Sequence, residues 1–320
     1  MSEQWLRKLR LTVQIDEGQP QALDLSDFHI YFHINQATTE TPKAAEIYIY
    51  NISANTMNLL CGPDNQKVNN QVVLEVAYGS DPFETIFKGN VFHFRRGRDN
   101  PTDTWLCILA QSGGLVKKYA VVNKSLPAGT TINDVGQALI SELGVYGIEM
   151  GNVPDMSNQR YPRGRVMFGS LDFKIKGLFE ENNLEFDYSD DVFDAYPINQ
   201  FSTFPLQIIT AKTGMIGMPQ LTSEGLRVTT LINPKFKKGG RVQVDMTNLQ
   251  TEGYDINYGG QGVDQPYKNP KLATNAAGIF VIQSIEMVGD NRGTEWYSQL
   301  VCTGLNATVP KSGISITAVE

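Results

Sequence analysis

Cysteine and histidine are scarce in this chain, three of each in 320 residues. Cys61, Cys107 and Cys302 are an odd number at wide spacings. That argues against a disulfide framework or a zinc site and suits a reducing compartment. His29 and His33 are four residues apart in an alternating segment. On a strand that separation is about 13 Å, too far to share one metal ion. His93 stands alone, and no HExxH motif occurs. GxxxxGK[ST] and GxGxxG are absent too, and Ser170 sits in Gly-Ser-Leu rather than in a GxSxG elbow. No apolar run reaches the roughly 18 residues of a membrane span. The opening MSEQWLRKLRLTVQID has no apolar h-region, so no signal peptide is expected. The sequons at Asn51, Asn123 and Asn306 then carry little weight. A basic excess is also missing: 27 Lys and Arg stand against 34 Asp and Glu, a net charge of −7. A nucleic-acid-binding surface is therefore not favoured.

What is present is alternation. In FHIYFHI (28–34), Phe28, Ile30, Phe32 and Ile34 alternate with His29, Tyr31 and His33, the period of a half-buried strand. AAEIYIYN (44–51), QVVLEVAYG (71–79), ETIFKGNVFHF (84–94) and TWLCILA (104–110) continue the pattern. A short helix is predicted at 53–60 with Ser53 as its cap. The period changes after 110. Residues 126–144 place Ile132, Val135, Leu139 and Leu143 on one helical face, with a capping box at Thr131–Asp134 and a stop at Gly144. A second helix is expected at about 171–181, then a strand in 182–190. Strands return at 205–209, 226–232, 241–246, 278–287 and 294–303. These changes divide the chain into 1–110, 111–205 and 206–320, with net charges of −4, −4 and +1. The stretch 250–276, rich in Gly, Asn, Gln and Pro, reads as a long surface loop.

Two hairpins resemble each other. In 87–110 and 280–303 the order is the same: a strand, Gly97 or Gly289, Asp99-Asn100 or Asp290-Asn291, Trp105 or Trp296, and an apolar strand. Self-similarity of this kind points to a repeated supersecondary unit. Two similar units per chain suit a ring in which three chains give a pseudo-sixfold arrangement. On this reading Trp105 and Trp296 occupy equivalent, at least partly buried places.

The densest acidic run is 180–194. It fails as an EF-type calcium loop, because Val192 and Ile198 stand where Gly and Glu are needed. A glycosidase acid pair remains open, since its geometry is three-dimensional, but a solvated charged edge is the expectation. Arg95, Arg96 and Arg98 lie at the first hairpin tip, without interleaved stacking aromatics on their loop. An intersubunit contact is preferred for them, and Asp290, Asn291 and Arg292 at the second tip are candidates for the same role. No catalytic residue, cofactor or metal ligand is assigned.

The phrase LRVTTLINPKFKKGGRVQVD (226–245), followed by a long loop and GIFVIQSIEMVGDNRGTEWYSQLVC (278–302), resembles phage baseplate hub proteins of the late-control-protein-D type. These are relatives of the hub half of type VI secretion spike proteins. FKGNVFHF with its polar tip resembles the family's first barrel, and the helix after LPAGTT its inserted middle domain. The resemblance implies a β-rich α+β fold: two tail-tube-like β-barrels, 1–110 and 206–320, around a small α+β domain, 111–205. It implies a homotrimeric hub between a sixfold tail tube and a threefold central spike, around a channel where DNA is only passing cargo. The partners would be tube, spike, and baseplate wedge or tape-measure proteins. The place would be the virion tail, assembled in the bacterial host cytoplasm, and no enzymatic activity is implied. The alternatives are a tail-associated cell-wall polysaccharide hydrolase using the acidic run, and a receptor- or carbohydrate-binding tail-tip β-protein. The second would gain from exposed aromatics in 250–276, which holds only Tyr254, Tyr258 and Tyr267.

Overall fold

Alternating side chains become the two faces of one large sheet. The computed structural model describes residues 6–15, 21–36, 42–62, 69–198, 200–222, 225–245 and 278–304. The loop expected at 250–276, with its three tyrosines, lies outside them. Strand β1 (Arg7–Gln14) is followed by β2 (Ala22–Asp24), β3 (His29–Gln36) and β4 (Ala44–Tyr50). Helix α1 (Ala54–Cys61) then leads to β5 (Gln71–Tyr78), β6 (Glu84–Arg98) and β7 (Thr104–Gln111). The Ser53 hydroxyl caps α1 by accepting from the Thr56 N–H. In β3 and β4 every second residue is buried (Ile30, Phe32, Ile34; Ala45, Ile47, Ile49), while His29, Tyr31, His33, Glu46, Tyr48 and Tyr50 stay half-buried on the other face.

The middle segment builds around its own core. It holds α2 (Gly114–Tyr119), β8 (Val121–Leu126), α3 (Ile132–Leu143), β9 (Glu149–Met150), β10 (Arg165–Ser170), α4 (Leu171–Glu181), β11 (Leu184–Asp187) and β12 (Val192–Pro197). The capping box forms: Thr131 Oγ1 accepts from Asp134 N–H and the Asp134 carboxylate accepts from Thr131 N–H. Val135, Leu139 and Leu143 of α3 meet Ile175, Leu178 and Phe179 of α4 in a core separate from that of the large sheet.

The final segment supplies β13 (Gln207–Ile209), β14 (Met215–Thr222), β15 (Gly225–Thr230), β16 (Arg241–Val244), β17 (Ile279–Asp290) and β18 (Trp296–Thr303). Its strand order is β14-β15-β18-β17-β16-β13; that of the first segment is β3-β4-β7-β6-β5-β1, continued by β2. Position by position the two orders match. Both central hairpins also carry a bulge at the same place, between Val91 and His93 and between Ile282 and Ser284. The repeat read from the hairpins thus extends to six strands. It is not perfect: β1 joins β5 antiparallel, whereas β13 joins β16 parallel. No pairing among the described residues closes either unit into a barrel; the path runs openly from β14 to β2.

The tryptophans follow the repeat only in part. Each begins its strand opposite a glycine, Trp105 facing Gly97 and Trp296 facing Gly289. A Cβ on Gly97 would meet the Trp105 ring and one on Gly289 the Phe32 ring, so both places need the smallest residue. Counted from the bulge, however, the glycines differ by one residue. One residue turns a side chain to the other face. Trp296 therefore lies in the core, edge-on to Phe32, whereas Trp105 lies on the polar face against Tyr48.

Both units share one core. Tyr78 of β5 links them: its hydroxyl donates to the Ile232 carbonyl at 2.7 Å and accepts from Trp296 Nε1–H at 2.8 Å. Replacing Tyr78 by Phe leaves two buried polar groups without this partner, which costs about 2–3 kcal/mol. A clear drop in melting temperature is the expected outcome; a Tyr78→Phe protein melting with the wild type would show that the bridge contributes nothing.

Candidate functional site

The features that bear on assembly are the joint between the units, the two hairpin tips and the seam to the middle domain. Strand β17 makes the joint. Its first part pairs with β16, from Gln243↔Ile279 to Arg241↔Val281. Its last part pairs with β3, from Ile285↔Gln36 to Asp290↔Tyr31, while β18 runs along the other side. The second hairpin tip then clamps the start of β3. Asn291 N–H donates to the Ile30 carbonyl, Asn291 Oδ1 accepts from Ile30 N–H at 2.9 Å, and Asn291 Nδ2 donates to the Phe28 carbonyl. Arg292 donates to the Asp27 carbonyl at 2.8 Å, and the guanidinium of Arg7 donates to the Gly293 carbonyl. Asp290 Oδ1 accepts from Arg292 and Gly293 N–H groups and meets His29 Nε2 at 2.9 Å. Burial pushes the Asp290 carboxyl up, but these bonds outweigh it and hold the group below the ordinary carboxylate value.

Arg95, Arg96 and Arg98 occupy the corresponding tip of the first unit, and they do not converge. Arg96 is spent inside the chain: it donates to Asn58 Oδ1 and the Gly62 carbonyl, satisfying the end of α1. Arg95 is exposed, 3.8 Å from Glu46, and Arg98 is exposed at the strand end.

The half-buried face of the sheet runs across the joint without a break. Tyr31 tilts against Tyr48, His29 stacks on Tyr50 at 4.6 Å, and Tyr48 meets Trp105 edge-on. Cys107 belongs to this face, 3.7 Å from Glu46; burial and that carboxylate push its thiol up to about 12, an inert group. His33 Nε2 lies 2.6 Å from Glu286 Oε1, with Glu46 also near, and the hydrogen bond to Glu286 raises the imidazole pKa against the effect of burial.

The acidic run is the expected solvated edge only at its start, where Glu180 and Glu181 are exposed. Asp191 and Asp194 are buried, and the run docks the middle domain onto the large sheet. Lys43 Nζ, itself buried, donates to both oxygens of Asp190 at 2.9 and 2.7 Å. Asp190 also accepts from Lys88 N–H, Gln71 donates to Asp191, and Lys237 donates to Asp194 at 2.8 Å. Gln36 donates to Asp187 and Ser189. Burial raises the Asp191 carboxyl, Lys88 at 3.7 Å opposing it. The physical reason for the difference is tertiary: the lysines that receive these carboxylates come from other segments, Lys43 just before β4, Lys88 in β6 and Lys237 between β15 and β16. Lys43 in particular was not singled out, since one lysine before a strand carries no local signal. Among the described residues no three His, Cys, Asp or Glu side chains come together to hold a metal ion, and no helix is long and apolar enough to cross a membrane.

Two outcomes are expected. Lys43→Met orphans a largely buried carboxylate, costing about 2–3 kcal/mol, the low end for a broken buried pair because Asp190 keeps some solvent. The middle domain should loosen first, seen as faster proteolysis near 111–113; unchanged cleavage and melting would contradict the docking role. For His33 the sign follows from the raised folded pKa. The charged pair with Glu286 contributes fully below the unfolded value of about 6.5 and fades as pH rises through the higher folded value. His33→Gln should therefore lower the melting temperature more at about pH 5.5 than at about pH 8.5, and a gap independent of pH would refute this.

A family model described as baseplate hub gp41 matches residues 8–248. No curated protein matches the chain. Among solved structures, a prophage MuSo2 43 kDa tail protein from Shewanella oneidensis is similar with a TM-score of 0.55 at 8% identity, over 94% of this chain and 97% of that one. A tail protein from Neisseria meningitidis MC58 aligns with a TM-score of 0.53 at 8% identity, over 93% and 97% of the two chains. The E. coli c3393 protein, described as a component of the type VI secretion system similar to T4 tail proteins gp27 and gp5, aligns with a TM-score of 0.55 at 10% identity over 94% and 79%. At these identities the likeness shows the fold. With the family model covering most of the chain, the chain belongs to the baseplate hub gp41 family of phage tail structural proteins.

Proposed function

We propose that this hub protein acts as a trimeric ring adapting a sixfold tail tube to a threefold central spike, with DNA passing through its centre. The observation that carries the reading is the repeated strand order. Two like units in one chain, β3-β4-β7-β6-β5-β1 and β14-β15-β18-β17-β16-β13, give six units from three chains. Each unit would be the counterpart of a tail-tube barrel, with 111–205 as an inserted domain on the outside. The half-buried face would line the channel. It offers tyrosines with Glu46, Glu286, His33 and Arg95, a nearly balanced set that would not retain phosphates. Partners would be the tube protein, a central spike protein, and baseplate wedge or tape-measure proteins, assembled into the virion tail in the host cytoplasm.

A non-enzymatic role is supported by what holds the carboxylates most open to a catalytic reading: Asp190, Asp191 and Asp194 face Lys43, Lys88 and Lys237 rather than an open cleft. The test is a reconstruction of the isolated tail tip. Three copies in a ring between tube and spike are the expected outcome; six copies, or a position on outer fibres, would overturn the proposal.

A further inference from the structure

The middle domain carries a surface that its own contacts leave open. Strands β8 and β10 form a two-stranded sheet, and among the described residues neither pairs with a third strand. One face, with Val122 and Met167, is buried in the middle-domain core. The other face sets Val121 opposite Ser170, Asn123 opposite Phe168 and Ser125 opposite Val166. Val121 is 57%, Val166 73% and Phe168 69% exposed. At the end of β10, Ser170 Oγ accepts from the N–H of Phe173, whose side chain is exposed in the first turn of α4. Large apolar side chains grouped on one exposed face mark an interaction site, whereas single ones need no explanation.

The charge around this face runs against that of the chain. Residues 114–126 and 156–171, the two strands with their flanks, hold three Lys and three Arg and no Asp or Glu, in a chain of net charge −7. Lys124 is held by Glu142 at 2.6 Å, and the Arg165 guanidinium lies over the Tyr161 ring and donates to its hydroxyl. Lys118 and Arg163 are exposed. A basic rim around an apolar centre calls for an acidic partner with apolar side chains. The chain's own densest acidic run does not supply that partner from a second copy, because Asp190, Asp191 and Asp194 are already engaged with Lys43, Lys88 and Lys237.

We propose that this face receives an extended, acidic segment of another tail protein, added as a third strand beside β10. An added strand satisfies open backbone groups through main-chain hydrogen bonds and places every second side chain on the face of its neighbour. Its apolar residues would cover Val166 and Phe168, and its carboxylates would meet the basic rim at Arg163. β10 offers residues 165–168 for this pairing, since Gly169, at φ 114°, turns the chain before α4. Anionic lipid and nucleic acid share the charge but not the strand edge: neither forms a backbone ladder, and Val121 and Val166 give a base nothing to stack on. The inference is independent of the ring reading and needs only that the chain sits in a tail.

Photocrosslinking in assembled tails tests it. Phe168 is replaced by p-benzoylphenylalanine, a photoreactive aromatic side chain, and the adduct is identified by mass spectrometry. The expected adduct joins this position to a segment of a different tail protein in which Asp or Glu alternate with apolar residues. An adduct within this chain, with another copy of it, with lipid or with DNA overturns the inference, and so does no adduct at all. Should that tail fail to assemble, the same photoreactive group in place of Asn123, on the same face, gives the same readings. The segment found, made as a synthetic peptide, should bind the full chain. Phe168→Ser and Arg163→Glu should each weaken that binding about tenfold, as central contacts do, with melting unchanged because both side chains are exposed. Affinity indifferent to both substitutions overturns the inference too. A ring of three copies at the tail tip without this adduct would leave the ring reading standing and sink this one alone.

Discussion

The fold depends on how the backbone hydrogen bonds of one strand are shared out. β17 is 12 residues long; β18 runs along one of its sides, and the other side is divided between two neighbours. β16 serves its beginning and β3 its end, so one strand belongs to two units at once. Unpaired amides and carbonyls in a buried setting are costly. Sharing β17 turns what would be two edges into a seam inside a sheet, with Phe32, Met287 and Trp296 beneath it in a common core. The tip residues Asp290, Asn291 and Arg292 then secure β3 where the ladder ends.

The middle domain is attached by different physics. Its core of Leu139, Ile175, Phe179 and Phe193 is separate from that of the sheet, and ion pairs and hydrogen bonds cross between the two. Asp190 and Asp191 take left-handed backbone angles, φ 59° each, which turn their carboxylates and amides toward Lys43, Lys88 and Ser112. Ion pairs and hydrogen bonds in this seam fix orientation through geometry, because each buried charge requires its partner in place.

Local signals were legible and distant ones were not. Strict alternation in 28–34 and 44–51 identified β3 and β4, and Ser53 and Thr131 marked helix starts because caps act within one turn; past Gly144 the chain keeps helical angles in a 3-10 turn to Tyr146, and the left-handed residue is Gly147. The hairpin repeat was legible because its turns carry the same Gly, Asp and Asn. Its six-strand extent was hidden, since β1, β14 and their equivalents share strand order without sharing residues. The one-residue difference that places Trp105 and Trp296 on opposite faces was equally invisible: it lies in the spacing from a bulge, and a bulge has no sequence mark. The acidic run reads as solvated in the sequence because its partners come from other segments of the chain, 147 residues away for Lys43 and 43 for Lys237. The candidate residues at the second tip proved to work within the chain, as did Arg96, which leaves Arg95 and Arg98 exposed at the first.

The most direct measurement of the central claim, that β17 makes one sheet of two units, is site-resolved native-state hydrogen exchange. The amides of β3 and of 285–290 should open with the same free energy as those of β7 and β18, in one cooperative step. Amides at the joint that exchange well before both of those strands would mean two independent units resting against each other, and would contradict the account.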